Sequence, residues 1–183
     1  MNMIINGQDV PASSGETIDV FNPYNKERID SVPSAAKEDI DAAVSAARTA
    51  WKSWKKTPVY KRVDLVNRFL TLVDQNRTGL GKLLSLESGK TITETAIEMN
   101  NIFTAWHAFA EKAKHLYDTV IPAGLEYNHD NNVVLTRREP LGVVACIIPF
   151  NFPCNLFNQK VAPAILAGNC VIVKPATDNP LTI

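Results

Sequence analysis

The chain has 183 residues, of which 45% are hydrophobic, and this length and composition suit one globular core. Its 19 basic and 19 acidic residues cancel, and neither charge clusters in one segment, which excludes a nucleic-acid-binding surface. No stretch contains the about 18 apolar residues that cross a membrane, and the N-terminus lacks a signal-peptide pattern, so we expect a cytoplasmic protein without a membrane partner.

The N-terminal part is predicted to form short strands followed by an amphipathic helix. Residues 3–5 and 18–21 have an extended pattern, and the dipeptide Asn6-Gly7 suits a tight hairpin turn. Between residues 36 and 55, apolar side chains recur at helical spacing: Ile40, Ala43, Val44, Ala47, Trp51 and Trp54. The charged residues between them, Asp39 included, are assigned to the solvent-facing side.

Further helices are predicted up to residue 117. After Thr57-Pro58, one helix carries an apolar stripe: Val63, Val66, Phe69, Leu70 and Val73. Gly79 and Gly81 are interpreted as a break before a short helical stretch at 80–86. The sequence LESGKT, residues 86–91, separates this stretch from a long helix over 91–117, whose apolar face is predicted to contain Ile97, Ile102, Trp106, Phe109 and Ala113.

Residues 119–140 read as a β-hairpin, because two β-type runs flank the polar loop NHDNN at 128–132. An isolated hairpin is marginal in water and its edges need a partner, which could be supplied by the same chain or by another subunit. We therefore expect this hairpin to act as an arm.

The last segment has the pattern of a strand, a helix and a second strand. GVVACII at 142–148 and CVIVKP at 170–175 are apolar without alternation, as in a sheet covered on both faces, and residues 155–166 are helical in pattern. Such a unit has parallel strands and a right-handed crossover. TDNPLTI at 177–183 is predicted to begin another helix, so the chain is interpreted as the front part of a larger α/β protein.

Common catalytic and metal-binding motifs are missing from the sequence. There is no G-x-G-x-x-G fingerprint after a strand, no Walker A sequence, no G-x-S-x-G and no H-E-x-x-H, and the 3 histidines lack partners at metal-ligand spacing. No metal is therefore expected. Cys146, Cys154 and Cys170 form no C-x-x-C pair and are predicted to be reduced, buried thiols.

Two polar residues follow the predicted parallel strands at the points where these strands end. Asn151 comes after the first strand and Lys174 ends the second, and the carboxyl ends of neighbouring parallel strands form the ligand-binding edge of open α/β sheets. A structural role is the alternative, in which Asn151 stabilises its own turn and Lys174 is a solvated charge. Position alone leaves both interpretations open.

The segment EPLGVVACIIPFNFPCNLFNQKVAPAILAGNCVIVKPATDNPLT, residues 139–182, resembles the aldehyde dehydrogenase superfamily. Upstream, INGQ, VFNP and LESGKT occur in the order typical of that family. The resemblance implies an α/β, aldehyde-dehydrogenase-like fold with N-terminal helices, an incomplete Rossmann-type parallel sheet and a β-hairpin oligomerisation arm. It divides the chain into an N-terminal part of the cofactor-binding domain at 1–118, the arm at 119–140 and the start of the parallel sheet at 141–183.

The resemblance also implies roles for individual residues. Asn151 corresponds to the catalytic asparagine whose amide donates a hydrogen bond to the oxyanion, and Lys174 to the lysine that binds the adenosine ribose of NAD or NADP. Thr177 stands where a glutamate would repel a 2′-phosphate, so NADP should be tolerated. The residues implied in cofactor binding are Ile148, Pro149, Phe150, Asn151, Lys174, Ala176 and Thr177.

The family oxidises aldehydes with a nucleophilic cysteine and a general-base glutamate, which the resemblance places outside these 183 residues. The expected substrate of the complete enzyme is a small aldehyde, and the chain by itself is predicted to be inactive and to assemble as a homo-oligomer through the arm. The alternative is a non-catalytic truncated product or interaction module.

Overall fold

The computed structural model describes all residues, 1–183, as four two-stranded sheets and four helices. In chain order the elements are β1 (Met3–Ile5), β2 (Gln8–Val10), β3 (Thr17–Phe21), β4 (Arg28–Pro33), α1 (Lys37–Trp54), α2 (Val59–Ser88), α3 (Ile92–Lys114), β5 (Thr119–Ile121), β6 (Val134–Thr136), β7 (Val143–Ile147), α4 (Pro153–Leu166) and β8 (Cys170–Lys174).

The first four strands form two antiparallel hairpins. β1 pairs with β2, and their turn places Asn6 and Gly7 at φ 54° and 73°, the positive values that a two-residue hairpin turn requires. β3 pairs with β4, and the register shifts between Val20 and Phe21. The predicted Asn-Gly hairpin is therefore confirmed.

Helix α1 has the predicted extent, but the prediction for its first turn was wrong. Asp39 is buried, because its carboxylate accepts hydrogen bonds from the backbone N–H of Ala36 (2.9 Å) and of Ser13 (3.2 Å). Ile40, which was assigned to the apolar face, is 52% exposed. The N–H groups of Ala36, at the start of the helix, and of Ser13 need an acceptor, and Asp39 turns inward to provide it.

Helix α2 is continuous, so the predicted break at Gly79 and Gly81 was wrong. A glycine inside a helix costs only about 1 kcal/mol, which packing can offset. At Gly81 a Cβ would lie 3.7 Å from Met99 and 3.8 Å from Thr95 of α3, so tertiary contacts support the helix there. The helix ends at Ser88, and Gly89 follows in the left-handed conformation with φ 73°.

Helix α3 begins with the Thr91 capping box and packs a mixed face against α2 and α4. Trp106 is central to this core: its ring lies 4.9 Å from that of Phe69, and its Nε1 donates a 2.7 Å hydrogen bond to Asn158 Oδ1. Ile97 is 56% exposed, contrary to its predicted place on the apolar face, whereas Glu98 beside it is buried.

The strand–helix–strand unit is confirmed. β7 and β8 are parallel, with registers from Val143↔Cys170 to Ile147↔Lys174, and α4 connects them. One face of β7 packs into the core, but Ile147 on the other face is 66% exposed. One face of this two-stranded parallel sheet is therefore open to solvent within these 183 residues.

No helix is assigned in the segment after β8, which is too short to close a helical turn beyond Pro180, so the helix start predicted at TDNPLTI stays a prediction. The backbone N–H groups of Leu181 and Thr182 donate to the carboxylate of Glu87, at 2.7 and 2.9 Å. These long-range hydrogen bonds hold the segment against the C-terminal end of α2.

The hairpin of β5 and β6 is confirmed, with Thr119 opposite Thr136 and Ile121 opposite Val134. It projects apolar side chains into solvent, among them Val120 (64% exposed) and Leu135 (72% exposed). None of the helices of the chain is both long and apolar enough to span a membrane.

Candidate functional site

The carboxyl ends of β7 and β8 form one edge of the parallel sheet. Ile147 lies opposite Lys174 in the last register position, and the N–H of Ile148 donates a 3.0 Å hydrogen bond to the carbonyl oxygen of Lys174. The loops that carry Asn151 and Thr177 both leave this edge, as the sequence predicted.

An open cleft of about 690 Å³ lies at this edge. Phe150 and Asn151 from the first loop and Thr177 from the second line it, together with residues of β3 and of the α2–α3 connection such as Lys90. The cleft therefore joins three of the predicted site residues to parts of the chain that sequence analysis did not connect with a site.

The other predicted site residues lie outside the cleft lining. Ile148 is buried in the core with 1% exposure, where it contributes packing and backbone. Pro149 and Lys174 are exposed, and Ala176 is half-buried. The Nζ of Lys174 donates a 2.9 Å hydrogen bond to the carbonyl oxygen of Pro175, so its charge stays at the strand end.

The Asn151 side chain is exposed and takes part in none of the hydrogen bonds within the chain. Its neighbours behave differently, because the carbonyl of Phe150 and the N–H of Cys154 both have side-chain partners. The structural alternative, in which Asn151 stabilises its own turn, has no support from these contacts. Its amide is available to an external acceptor.

Two buried groups that sequence analysis missed hold the second loop. Glu87 is 2% exposed and binds the N–H groups of Leu181 and Thr182, while Asn179, also 2% exposed, donates to the carbonyl oxygen of Phe150. Burial raises the pKa of Glu87, and its hydrogen bonds oppose this shift. Glu87 stands in LESGKT, for which the sequence predicts a break between helices and a family resemblance but no buried carboxylate.

The three thiols have the wrong electrostatic environment for a nucleophile. Burial, together with the nearby carboxylates of Glu98 and Glu87, raises the pKa of Cys154 to about 12. Burial also raises the pKa of Cys146 and of Cys170. Because the thiolate is the reactive form, the raised pKa values disfavour these side chains as nucleophiles. Cys146 and Cys154 are buried as predicted, but Cys170 is only half-buried. No cluster of three or more His, Cys, Asp or Glu could hold a metal ion.

The chain has the same fold as two solved NADP-dependent enzymes. The chain superposes with a TM-score of 0.95 and 32% identity on the NADP-dependent glyceraldehyde-3-phosphate dehydrogenase from Bacillus halodurans C-125 complexed with NADP, and this match covers 99% of the chain and 38% of that protein. A second match, to an E. coli NADP-dependent enzyme, has a TM-score of 0.93 and 31% identity over 99% of the chain and 37% of that protein. The predicted fold class is thus confirmed.

Curated relatives agree with this assignment. The 3-sulfolactaldehyde dehydrogenase of Pseudomonas putida is 36% identical over 97% of the chain and 36% of its own length. The NADP(+) succinate-semialdehyde dehydrogenase GabD of Escherichia coli K12 is 32% identical over 98% of the chain, again 36% of its length. The chain thus spans about 36% of the length of these relatives.

The family assignment rests on a match along nearly the whole chain. The sequence pattern of the aldehyde dehydrogenase family covers residues 10–183, which include the β3–β4 hairpin, all four helices and the edge that carries Asn151. With the confirmed fold and the relatives above, the chain belongs to the aldehyde dehydrogenase family.

Proposed function

We propose that this chain supplies the nucleotide-binding edge and the oxyanion donor of an enzyme that oxidises a small aldehyde to an acid with NAD or NADP. The observation that carries the proposal is the exposed Asn151 amide, which is free of hydrogen bonds and lies in a cleft at the carboxyl edge of the parallel sheet.

The role of Asn151 follows from the chemistry of carbonyl addition. When a nucleophile attacks an aldehyde, negative charge develops on the carbonyl oxygen. An N–H donor that is already in place stabilises this charge, and removal of one such donor typically costs about 3 kcal/mol of barrier. Asn151 can donate without breaking another hydrogen bond, so it needs no reorganisation.

At the exposed edge, Lys174 and Thr177 would hold the adenosine ribose of a dinucleotide. The main chain of Ile148, Pro149 and Phe150 would line the nicotinamide side, and Ala176 the second loop. Lys174 is a cation without a carboxylate partner, which suits the anionic nucleotide, and Thr177 places no negative charge near a 2′-phosphate. NAD or NADP would supply the acceptor for the hydride that the aldehyde loses.

Nucleotide binding can be tested on the chain itself. We expect isothermal titration calorimetry to detect binding of NADP, and Lys174→Met to weaken it. Thr177→Glu should weaken NADP more than NAD, because a carboxylate repels the 2′-phosphate. Asn151→Ala is the matched control, with unchanged nucleotide affinity. Absence of binding to both nucleotides would refute the nucleotide part of the proposal.

The oxyanion role needs a nucleophile, and the raised pKa values of the three thiols of this chain disfavour them in that role. We expect no aldehyde oxidation by the 183 residues alone. A chimera can join them to the part of the E. coli NADP(+) succinate-semialdehyde dehydrogenase that the chain does not cover. In such a chimera, Asn151→Ala should lower kcat by about 10²–10³-fold. Unchanged kcat would contradict the role of Asn151.

We also propose that the hairpin at 119–140 mediates homo-oligomer formation. Its support is the exposed apolar surface of β5 and β6, to which Val120, Val134 and Leu135 contribute, together with the unpaired outer edges of this two-stranded sheet. Light scattering after size exclusion should give a mass above 20.2 kDa, and Leu135→Lys should reduce it. A monomeric parent chain would refute this assignment.

A further inference from the structure

A buried carboxylate caps helix α4 from another helix. Glu98 of α3 is 1% exposed, and its Oε1 accepts hydrogen bonds from the N–H of Cys154 (2.9 Å) and of Asn155 (3.3 Å). These are the second and third residues of α4, whose N–H groups have no partner inside the helix. A residue 56 positions away in sequence therefore satisfies them.

The cap comes from a distance because the local sequence cannot provide one. The N-cap residue of α4 is Phe152, which has no side-chain acceptor, and Pro153 at the first position has no N–H. An ordinary N-cap would be Ser, Thr, Asp or Asn. The loop that carries Asn151 thus depends on Glu98 for the hydrogen bonds that begin the helix.

Lys90 completes this arrangement. Its Nζ forms an ion pair with Glu98 Oε2 and lies 4.0 Å from the centre of the Phe152 ring. Lys90 is itself only 16% exposed at the side chain. Burial of a carboxylate without a nearby cation is unfavourable, so the ion pair with Lys90 offsets the cost of burying Glu98. Lys90 also contacts Phe152, the residue after Asn151.

Asn151 is consequently held on both sides while its own side chain stays free. Phe150 before it is bound through its carbonyl oxygen to Asn179 Nδ2 at 2.8 Å. Phe152 after it packs under Lys90, and Cys154 is bound to Glu98. Catalytic donors lose effectiveness when they are misplaced by about 1 Å.

We infer that Glu98, neutralised by Lys90, is a positioning residue for the Asn151 amide, and that it acts by capping α4 from outside the loop. This inference rests on the proposed oxyanion role of Asn151. It predicts that loss of the Glu98 charge leaves the fold intact but loosens the start of α4 and the conformation of Asn151.

The test uses the 15N-labelled chain without nucleotide. In Glu98→Gln, amide hydrogen exchange at Cys154 and Asn155 should accelerate by about tenfold or more, since the neutral amide oxygen of the variant accepts these hydrogen bonds more weakly than the carboxylate does. Val161 in the same helix is the internal reference and should keep its rate. The side-chain NH₂ signal of Asn151, assigned by its loss in Asn151→Ala, should shift. Glu111→Gln, an exposed glutamate near the other end of α3, is the matched control.

A second pair of variants tests the role of the cation and keeps the test decisive if Glu98→Gln does not fold. Lys90→Met should reproduce the faster exchange at Cys154 and the shifted Asn151 signal, and Lys90→Arg should restore both. Unchanged exchange in Lys90→Met, or faster exchange with an unmoved Asn151 signal, would overturn the inference. Because no nucleotide is present, these outcomes are independent of the binding experiment that tests the proposed function.

Discussion

Asn179 Nδ2 donates a 2.8 Å hydrogen bond to the carbonyl oxygen of Phe150 and thereby ties the loop after β8 to the loop after β7. The two residues are 29 positions apart, and the bond closes the carboxyl edge of the parallel sheet. Asn151 lies directly beside this bond, so the geometry of the candidate site depends on both loops together.

Loss of this bond should destabilise the chain. In Asn179→Ala the carbonyl of Phe150 loses its partner, and we expect the free energy of unfolding to fall by about 1–2 kcal/mol. Urea denaturation followed by circular dichroism measures the change. Asn100→Ala, an exposed asparagine on α3, is the matched control. If both variants unfold at the same urea concentration as the parent chain, the bond contributes nothing to stability.

Glu87 should make stability depend on pH in a defined direction. Its pKa in the folded chain is raised above the ordinary value of 4.5 by burial, so between these values the folded chain holds a proton that the unfolded chain has released. The free energy of unfolding therefore falls as pH rises through this window.

The variant Glu87→Gln isolates this effect, because the amide does not titrate. The free energy of unfolding of the parent chain relative to the variant should decrease as pH rises from 4.5 through the raised pKa. Chemical denaturation at a series of pH values measures the difference, and Glu126→Gln in the exposed hairpin loop is the control for loss of one charge. A difference that grows with pH would contradict the burial of this carboxylate.

Cys154 should resist alkylation in the native state. Burial and the neighbouring carboxylates Glu98 and Glu87 raise its pKa to about 12, so the thiolate is scarce at pH 8. We expect iodoacetamide to leave Cys154 unmodified in buffer and to modify it in urea, as judged by mass spectrometry of the peptides. Cys154→Ser identifies the signal. Rapid native modification would show that the thiol is accessible and ionised.

Two glycine substitutions should have opposite effects on stability. At Gly168, with φ +93°, a Cβ would lie 3.0 Å from both Arg62 Nη1 and Pro140 Cγ. Gly168→Ala should therefore lower the free energy of unfolding by about 1–3 kcal/mol. At Gly79, inside α2, a Cβ would meet nothing within 4 Å.

Gly79→Ala should accordingly raise the free energy of unfolding by about 0.5–1 kcal/mol, because alanine restricts the unfolded chain and favours the helix. Thermal and urea denaturation of both variants measure the pair. Destabilisation by Gly79→Ala would indicate that α2 is interrupted there, as the sequence alone had suggested.

Local patterns were sufficient where neighbouring residues determine the conformation. The Asn6-Gly7 turn, the extent of α1 and the parallel pairing of β7 with β8 were all predicted, since turn chemistry and hydrophobic periodicity act over a few residues. The placement of Asn151 at a strand end followed from the same pattern.

Predictions failed where a distant partner decides between local alternatives. Gly79 and Gly81 suggested a break, but the contacts of α2 with α3 keep the helix continuous. Asp39 was expected to face solvent, but the N–H of Ser13, 26 residues away, donates to its carboxylate, and the side chain is buried.

By itself the sequence determined the element types, the family resemblance and the strand-end position of Asn151, because these depend on residue identity and short spacing. Only the tertiary structure decided that Glu87 and Glu98 are buried and that their carboxylates face the two loops. Buried N–H groups need a hydrogen-bond acceptor. The hydrophobic periodicity of a sequence does not indicate which distant carboxylate provides it.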